Sequence, residues 1–420
     1  MVVALVADDG VNLRAAPREL AAIQAQLVRG DWLEVRGEVP GWLQVYDHRR
    51  ERPGYVRPAS VRVHPVEPAE APALRAIVAF LRDSKGYEPL GIGAAALLLR
   101  CGPAADDASL QLAIGVMADR LARQPSAAHR DVAESYGVKF IDVQTSGGVK
   151  TCYDGSAFRS VLAAPKAALD DRARAALSLT SGCLEPKPQQ ETAWNEWRLQ
   201  VLEQVEPAQS RLGMLVRLRR ADAWSRLAFH HERAKDAKAS HDAQEAMREL
   251  MLADAGLLAE EDQALRTETR ARVAASRWAA EPPQESGLQF SAGKPGETCI
   301  ALEAFKRCTY GVVWQASARG SGNTFAVSVQ PLESWTELWV FHRARGSWRV
   351  SILPPGNETS APGTVESAGI SPDGSRLLVL RETARVRRFE ERRASDLRLL
   401  RTAAQPIGHY ADLQAVAAVP

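Results

Sequence analysis

The side chains with the widest chemistry in this chain of 420 residues are its five cysteines and eight histidines. A thiol can pair with another, ligate a metal or attack a substrate as thiolate. Cys101, Cys152, Cys183, Cys299 and Cys308 make no C-x-x-C, and no His stands at zinc-finger spacing from a cysteine pair, so no metal site is expected. Cys299 and Cys308 flank the short stretch IALEAFKR, and Cys152 and Cys183 lie on either side of a helix-like segment. These two pairs are the disulfide candidates, with Cys101 left over, a usage that suits an oxidising compartment. Five buried thiols in a cytosolic protein are the alternative.

His230, His231 and Glu232, followed by His241 and Asp242, form the densest group of metal-ligating residue types. Neighbouring helix positions point about 100° apart, so 230 and 231 cannot both face one ion, and solvent-facing histidines are expected. No G-x-S-x-G, H-E-x-x-H or Walker-type phosphate loop occurs. The best-marked hydrolase and nucleotide-binding classes are therefore excluded, and no cofactor is expected.

Composition narrows the partners. Lys and Arg number 53 against 51 Asp and Glu, so no global field draws the chain to nucleic acid or anionic lipid. The densest basic run, ARVRRFEERRASDLRLLR at 384–401, is diluted by Glu390, Glu391 and Asp396. Alternating Arg there reads as the wet face of a strand, and no nucleic-acid partner is expected despite Phe389. The most apolar stretch, Leu90 to Leu99, is half the ~20 residues of a membrane span and reads as a buried helix, so no membrane span is expected. The opening MVVALVADDG lacks a basic n-region and a long apolar h-region, and no signal peptide is read in it.

The elements that position these residues fall into three regions. Residues 1–65 alternate with period two, predicting strands at Val3–Val6, Gln26–Val28, Trp32–Arg36, Trp42–Tyr46, Tyr55–Val56 and Val61–Val63. PVEPAEAPAL then reads as a linker. Residues 74–283 are mainly helical, interrupted near 138–154 by a β-hairpin turning at Ser146, Gly147 and Gly148. Within this region, 220–250 reads as a helical hairpin. Residues 286–403 return to period two, with YGVVWQAS, NTFAVSVQP, TELWVFHR, SWRVSILP and RLLVLRE as antiparallel strands. In GISPDGSRLLVLRE, Pro372, Asp373 and Gly374 make a tight turn between strands. Trp339 and Phe341 share one strand face, opposite Leu338 and Val340, and core packing is expected for both faces.

One set of motifs goes further. Val11-Asn12-Leu13-Arg14-Ala15-Ala16-Pro17, then Gly30-Asp31 before an alternating strand, then Gly41-Trp42-Leu43-Gln44-Val45 and Gly54-Tyr55-Val56, follow in order. Over about the first 64 residues this resembles the bacterial Src-homology-3-like (SH3-like, SH3b) domain. DHRRER at 47–52 departs from the family's tight turn by a longer and more charged connection. The resemblance implies a small β-barrel and a periplasmic or otherwise extracytoplasmic protein that docks on peptidoglycan or an envelope protein. The contacts it implies are Trp42, Tyr46, Arg49, Arg50 and Tyr55, aromatic faces for sugars and guanidinium groups for carboxylates. The plainer reading places Trp42 and Tyr55 in the core and Arg49 and Arg50 on a solvated loop. Such domains also accompany cell-wall cysteine peptidases, which raises Cys152 in KTCYDG as a nucleophile. That role needs a His base and a helix N-terminus, whereas Cys152 ends a predicted strand, so no catalytic residue is assigned.

The expected fold class is multidomain α+β: an N-terminal SH3-like β-barrel, a mainly α-helical middle domain and a C-terminal antiparallel β domain. The expected function is non-enzymatic binding or scaffolding at the bacterial cell envelope. A cell-wall cysteine hydrolase using Cys152 and a cytosolic protein-interaction module are the alternatives.

Overall fold

A computed structural model describes residues 1–407 except 103–106, 125, 146, 182, 184, 185, 358–361, 384 and 385. The fold is mixed α+β, with an antiparallel sheet first, helices in the middle and a larger sheet last. By internal contacts it divides into two compact units, residues 1–185 and 186–420.

The first unit opens with strands β1 (Val2–Val6), β2 (Val11–Arg14), β3 (Ile23–Leu27), β4 (Trp32–Val39), β5 (Trp42–Asp47), β6 (Arg52–Val56) and β7 (Val61–Pro65). They pair antiparallel in the order β3-β2-β6-β5-β4-β1-β7. The order has two ends, so hydrogen bonding does not close the expected barrel among the described residues. The VNLR motif, absent from the predicted strands, is itself β2.

Strand β1 lies between β4 and β7, and its five residues are all apolar. Ala4 and Val6 pack with Leu13, Leu27, Leu33, Val45 and Val56, while Val3 and Leu5 on the opposite face join Leu74, Val78, Ile92, Leu98 and Met117. A strand without a polar face must be covered on both sides. The covering helices are α1 (Ala71–Asp83), α2 (Glu88–Cys101) and α3 (Ala108–Ala122). PVEPAEAPAL is accordingly no linker: Pro68–Glu70 form a 3₁₀ turn and α1 begins at Ala71, with a proline in its first turn, where an N–H has no helical partner in any case. The helix read at Leu90 to Leu99 is α2, buried at Ile92, Ala94, Ala95, Leu97 and Leu98. Gly30, with φ 90°, seats its backbone against α2, because a Cβ there would lie 2.5 Å from the Pro89 carbonyl oxygen. Helix α4 (Ala127–Ser135), the hairpin β8 (Phe140–Thr145) and β9 (Gly148–Tyr153), α5 (Ser156–Ala163) and α6 (Leu169–Thr180) complete the unit. Ser146 of the expected turn lies outside the described residues.

The second unit begins with α7 (Glu191–Leu202), α8 (Arg211–Ala234), α9 (Lys238–Met251) and α10 (Gln263–Ser276). The α8–α9 pair is the expected helical hairpin. A three-stranded sheet, β10 (Gln289–Ala292), β11 (Thr298–Leu302) and β12 (Phe305–Thr309), precedes an eight-stranded one. The latter holds β13 (Val312–Ser321), β14 (Thr324–Leu332), β15 (Trp335–Ala344), β16 (Ser347–Leu353), β17 (Gly363–Ile370), β18 (Arg376–Thr383), β19 (Arg387–Arg393) and β20 (Leu399–Ala403). One pair departs from the antiparallel expectation. β16 covers β15 only from Leu338 onward, and β17 takes the remaining edge in parallel at Trp335 and Thr336. Trp339 and Phe341 pack beneath Ile300 and Leu302 of the small sheet, and Leu338 and Val340 pack with Val365, Leu377 and Val379 on the other face.

Buried ions tie this unit together. Asp222 of α8 is met by Arg198 of α7, Arg226 one turn on and Arg272 of α10. Arg277, just past α10, donates to both Glu366 oxygens on β17 at 3.0 and 2.7 Å, and the Trp278 indole N–H adds a third bond at 3.2 Å. On β19, burial alone pushes the Glu390 carboxyl up, but Arg381, Arg388 and Arg392 outweigh it and draw its value from 4.5 down to about 2.

Replacing Glu366 by Gln strands the Arg277 charge in the interior and is expected to lower unfolding free energy by roughly 3–5 kcal/mol in urea melts. Arg393→Ala, which breaks the exposed pair with Asp396, is expected to cost no more than about 1 kcal/mol. Acid supplies a second check. Glu390 has a lower value folded than unfolded, so its stabilisation is complete above about pH 5 and is lost as pH falls toward about 2. The urea midpoint of Glu390→Gln is therefore expected to vary less across that window than that of the parent.

Candidate functional site: a crevice beside the N-terminal sheet

The turn entering β4 delivers two side chains to one place. Asp31 is buried and its carboxylate accepts from the Val28 N–H at 3.0 Å, which closes the turn. Trp32, next in the chain, donates its indole N–H to the Gly93 carbonyl of α2 at 3.2 Å. Tyr136, just past α4, lies with its ring centroid 5.2 Å from Trp32 and donates its hydroxyl to the Gly30 carbonyl at 2.5 Å. Burial pushes that hydroxyl well above the ordinary phenol range, and the Asp31 charge adds to the shift, so Tyr136 stays protonated and donating.

These rings line a crevice of about 490 Å³, within the usual range for small-ligand sites. Its other walls are Val3, Leu33, Glu34, His48, Arg49 and Arg100. Arg100, exposed at the end of α2, holds its guanidinium 4.6 Å from the Trp32 ring centroid. Among the described residues it has no carboxylate partner. Arg49 reaches Asp31 at 2.6 Å, and His48 meets Glu34 at 2.8 Å. Hydrogen bonds from His48 and Arg36 hold the Glu34 carboxyl below its usual range. The walls thus combine an aromatic floor with one cation free to take an anion and a second already neutralised. A wider hollow of about 900 Å³ near α3 and α5, lined by Asp107, Lys166, Asp171 and several alanines, has no aromatic ring.

Of the five contacts implied by the resemblance, only Arg49 lines this crevice. Trp42 is 4% exposed, and Arg57 covers its face at 4.0 Å while bonded to Glu19 and the Gly41 carbonyl. Tyr46 is covered by Arg36 at 4.0 Å, and Arg50 is held by Asp31 and Asp47. Tyr55 pairs across the sheet with Arg14 and Gln44. Trp42 and Tyr46 stand at opposite ends of β5, about 13 Å apart at strand rise, so they cannot share a small ligand. Trp32, Tyr136 and Arg100 escaped the sequence reading because two of them come from helical segments far from the motif. Trp32 carried the only local signal, an aromatic opening an alternating strand.

The cysteines pair as their positions suggested. Cys152 joins Cys183, and Cys299 on β11 joins Cys308 directly opposite on β12, leaving buried Cys101 free. With its sulfur bonded and 1% exposed, Cys152 offers no thiolate in this form. Five arginines of 384–401 are engaged as well: Arg387 approaches Glu382, Arg388 and Arg392 bind Glu390, Arg393 binds Asp396, and Arg401 binds Glu391. Residues 384 and 385 of that run lie outside the described residues. No helix among the described residues is long and apolar enough to cross a membrane.

Comparison with protein-family models, curated proteins and solved structures finds no match to this chain.

Thiol titration of unreduced, denatured protein is expected to count one group, Cys101. A count of five would remove both bridges.

Proposed function

We propose that this chain is a non-enzymatic binding or scaffold protein of the bacterial cell envelope, working in an oxidising compartment such as the periplasm. Its N-terminal sheet, SH3-like in motif, uses the crevice at Trp32 to hold peptidoglycan. The observation that carries this reading is Arg100 stacked on Trp32 beside Tyr136, with no carboxylate partner among the described residues. A polymer of sugars and short peptides offers pyranose faces to the rings and free carboxylates to the guanidinium group. The two disulfides support the compartment, since cytosolic thiols are kept reduced. The bonded state of Cys152 weighs against the hydrolase alternative, and the same disulfides weigh against the cytosolic one.

Deleting residues 1–65 would not test this, because Val3 and Leu5 belong to the helical core. A point change does. Arg100→Glu is exposed and is expected to reduce retention on purified peptidoglycan at least about tenfold, which corresponds to about 1.4 kcal/mol. Arg18→Glu, exposed before β3, serves as the charge-matched control and is expected to bind like the parent. Equal retention of the Arg100 variant and the parent would overturn the assignment of the crevice.

A further inference from the structure

The 100° step between helix positions sends the adjacent histidines of α8 to different partners. His231 is buried and its Nδ1 meets Asp242 of α9 at 2.5 Å. His230 turns instead toward Glu191 at the start of α7 and Glu333 in the turn between β14 and β15. One imidazole nitrogen and one oxygen from each carboxylate lie within 4.8 Å of one another. The sequence offered Glu232, His241 and Asp242 as companions for His230, and folding supplies two glutamates from distant segments in their place.

Three details distinguish this group from a casual surface cluster. The Nε2 atom of His230 is shielded from solvent and has no hydrogen-bond partner. Its nearest carboxylate oxygen, Glu333 Oε2, is 3.9 Å away, beyond hydrogen-bond reach. Two donors each 2.0–2.2 Å from a common ion stand roughly 3–4 Å apart, so this gap suits a shared cation. The other oxygen of Glu333 accepts from Arg226 Nη1 at 2.5 Å, and Arg226 is itself anchored to Asp222. Arg226 thereby turns Oε2 toward His230, the kind of outer support that metal-binding carboxylates receive. Finally, Glu191 sets a second negative charge beside Glu333, a repulsive placement that a dication would relieve.

We infer that Glu191, His230 and Glu333 bind one divalent transition-metal ion of the zinc class, its remaining positions open to water or an external ligand. Hard calcium and magnesium ions seek six or more oxygens, whereas an imidazole with carboxylates suits zinc and its neighbours. All three residues are partly exposed, which gives an ion a way in. The other close group, Glu297 with Cys299 and Cys308, has both sulfurs committed to a disulfide and is not available to a metal in unreduced protein.

The test is calorimetric titration of intact, unreduced protein with Zn²⁺, Ca²⁺ and Mg²⁺ separately, with circular dichroism confirming that each variant is folded. One Zn²⁺ per chain is expected, with no measurable Ca²⁺ or Mg²⁺ binding. Glu191→Gln and His230→Gln are each expected to weaken Zn²⁺ binding at least tenfold, and His241→Ala, exposed on α9, to leave it unchanged. Should His230→Gln fail to fold, Glu191→Gln decides alone, since Glu191 has no part in the hydrophobic clusters. Absence of Zn²⁺ binding in the parent, parent-like affinity in Glu191→Gln, or loss in His241→Ala would overturn the site. Ca²⁺ binding tighter than Zn²⁺ would overturn the class of ion.

Discussion

A carboxylate removed from water must be met by cations or give up its charge, and this chain answers that demand with arginine. Asp222 gathers guanidinium groups from three helices, Glu366 takes both arms of Arg277, and Glu390 sits among Arg381, Arg388 and Arg392. In the first unit, buried Glu88 accepts from Arg120 and Gln124, and buried Asp31 is shared by Arg49 and Arg50. The planar fork of arginine suits it to such double contacts. The near-equal counts of basic and acidic residues set the net charge of +2, and the same pairing places carboxylates against most arginines of its most basic run.

The second governing constraint is the apolar strand that opens the chain. Because β1 has no polar face, the sheet cannot stand alone in water, and the helices that follow close over it. That junction is also where the crevice at Trp32 lies. Trp32 is pinned to α2 and Tyr136 to the turn at Gly30, so the rings of the crevice are held by contacts that also hold the fold. Arg100 is the exposed member, its guanidinium resting on the Trp32 ring.

Much of the architecture was legible from periodicity. A short apolar run marked β1, alternating runs marked β4, β5, β7 and most of β13–β16 and β18, and the longer apolar run in α2 announced a buried helix. The strands not marked by alternation were β2, short and semi-polar, β10 to β12, which alternate weakly, and most of β17, whereas β19 was legible as a strand but with its arginines assigned to a wet face. In RRFEERR the glutamates are buried, Glu390 against Arg381 of β18 and Arg388 and Arg392 of its own strand, Glu391 against Arg376 of β18 and Arg401 of β20. A pattern based on hydrophobicity reads such a strand inside out. The candidate sites were less legible still, because Trp32, Arg100 and Tyr136, like Glu191, His230 and Glu333, meet only across long stretches of chain.

By itself the sequence determined what local chemistry determines: the alternation that makes strands, the helix formers of the middle region, the cysteine pairs and the turn at Pro372, Asp373 and Gly374. It also set the charge balance that removes any global attraction to polyanions. Tertiary structure alone decided that the first sheet stays open and shares a core with helices, that Trp42 serves packing while Trp32 faces a crevice, and that His230 and His231 part company. The physical reason is the same in each case. Neighbours in sequence share a backbone and therefore a periodicity, whereas a site needs side chains whose proximity is set by how whole elements pack.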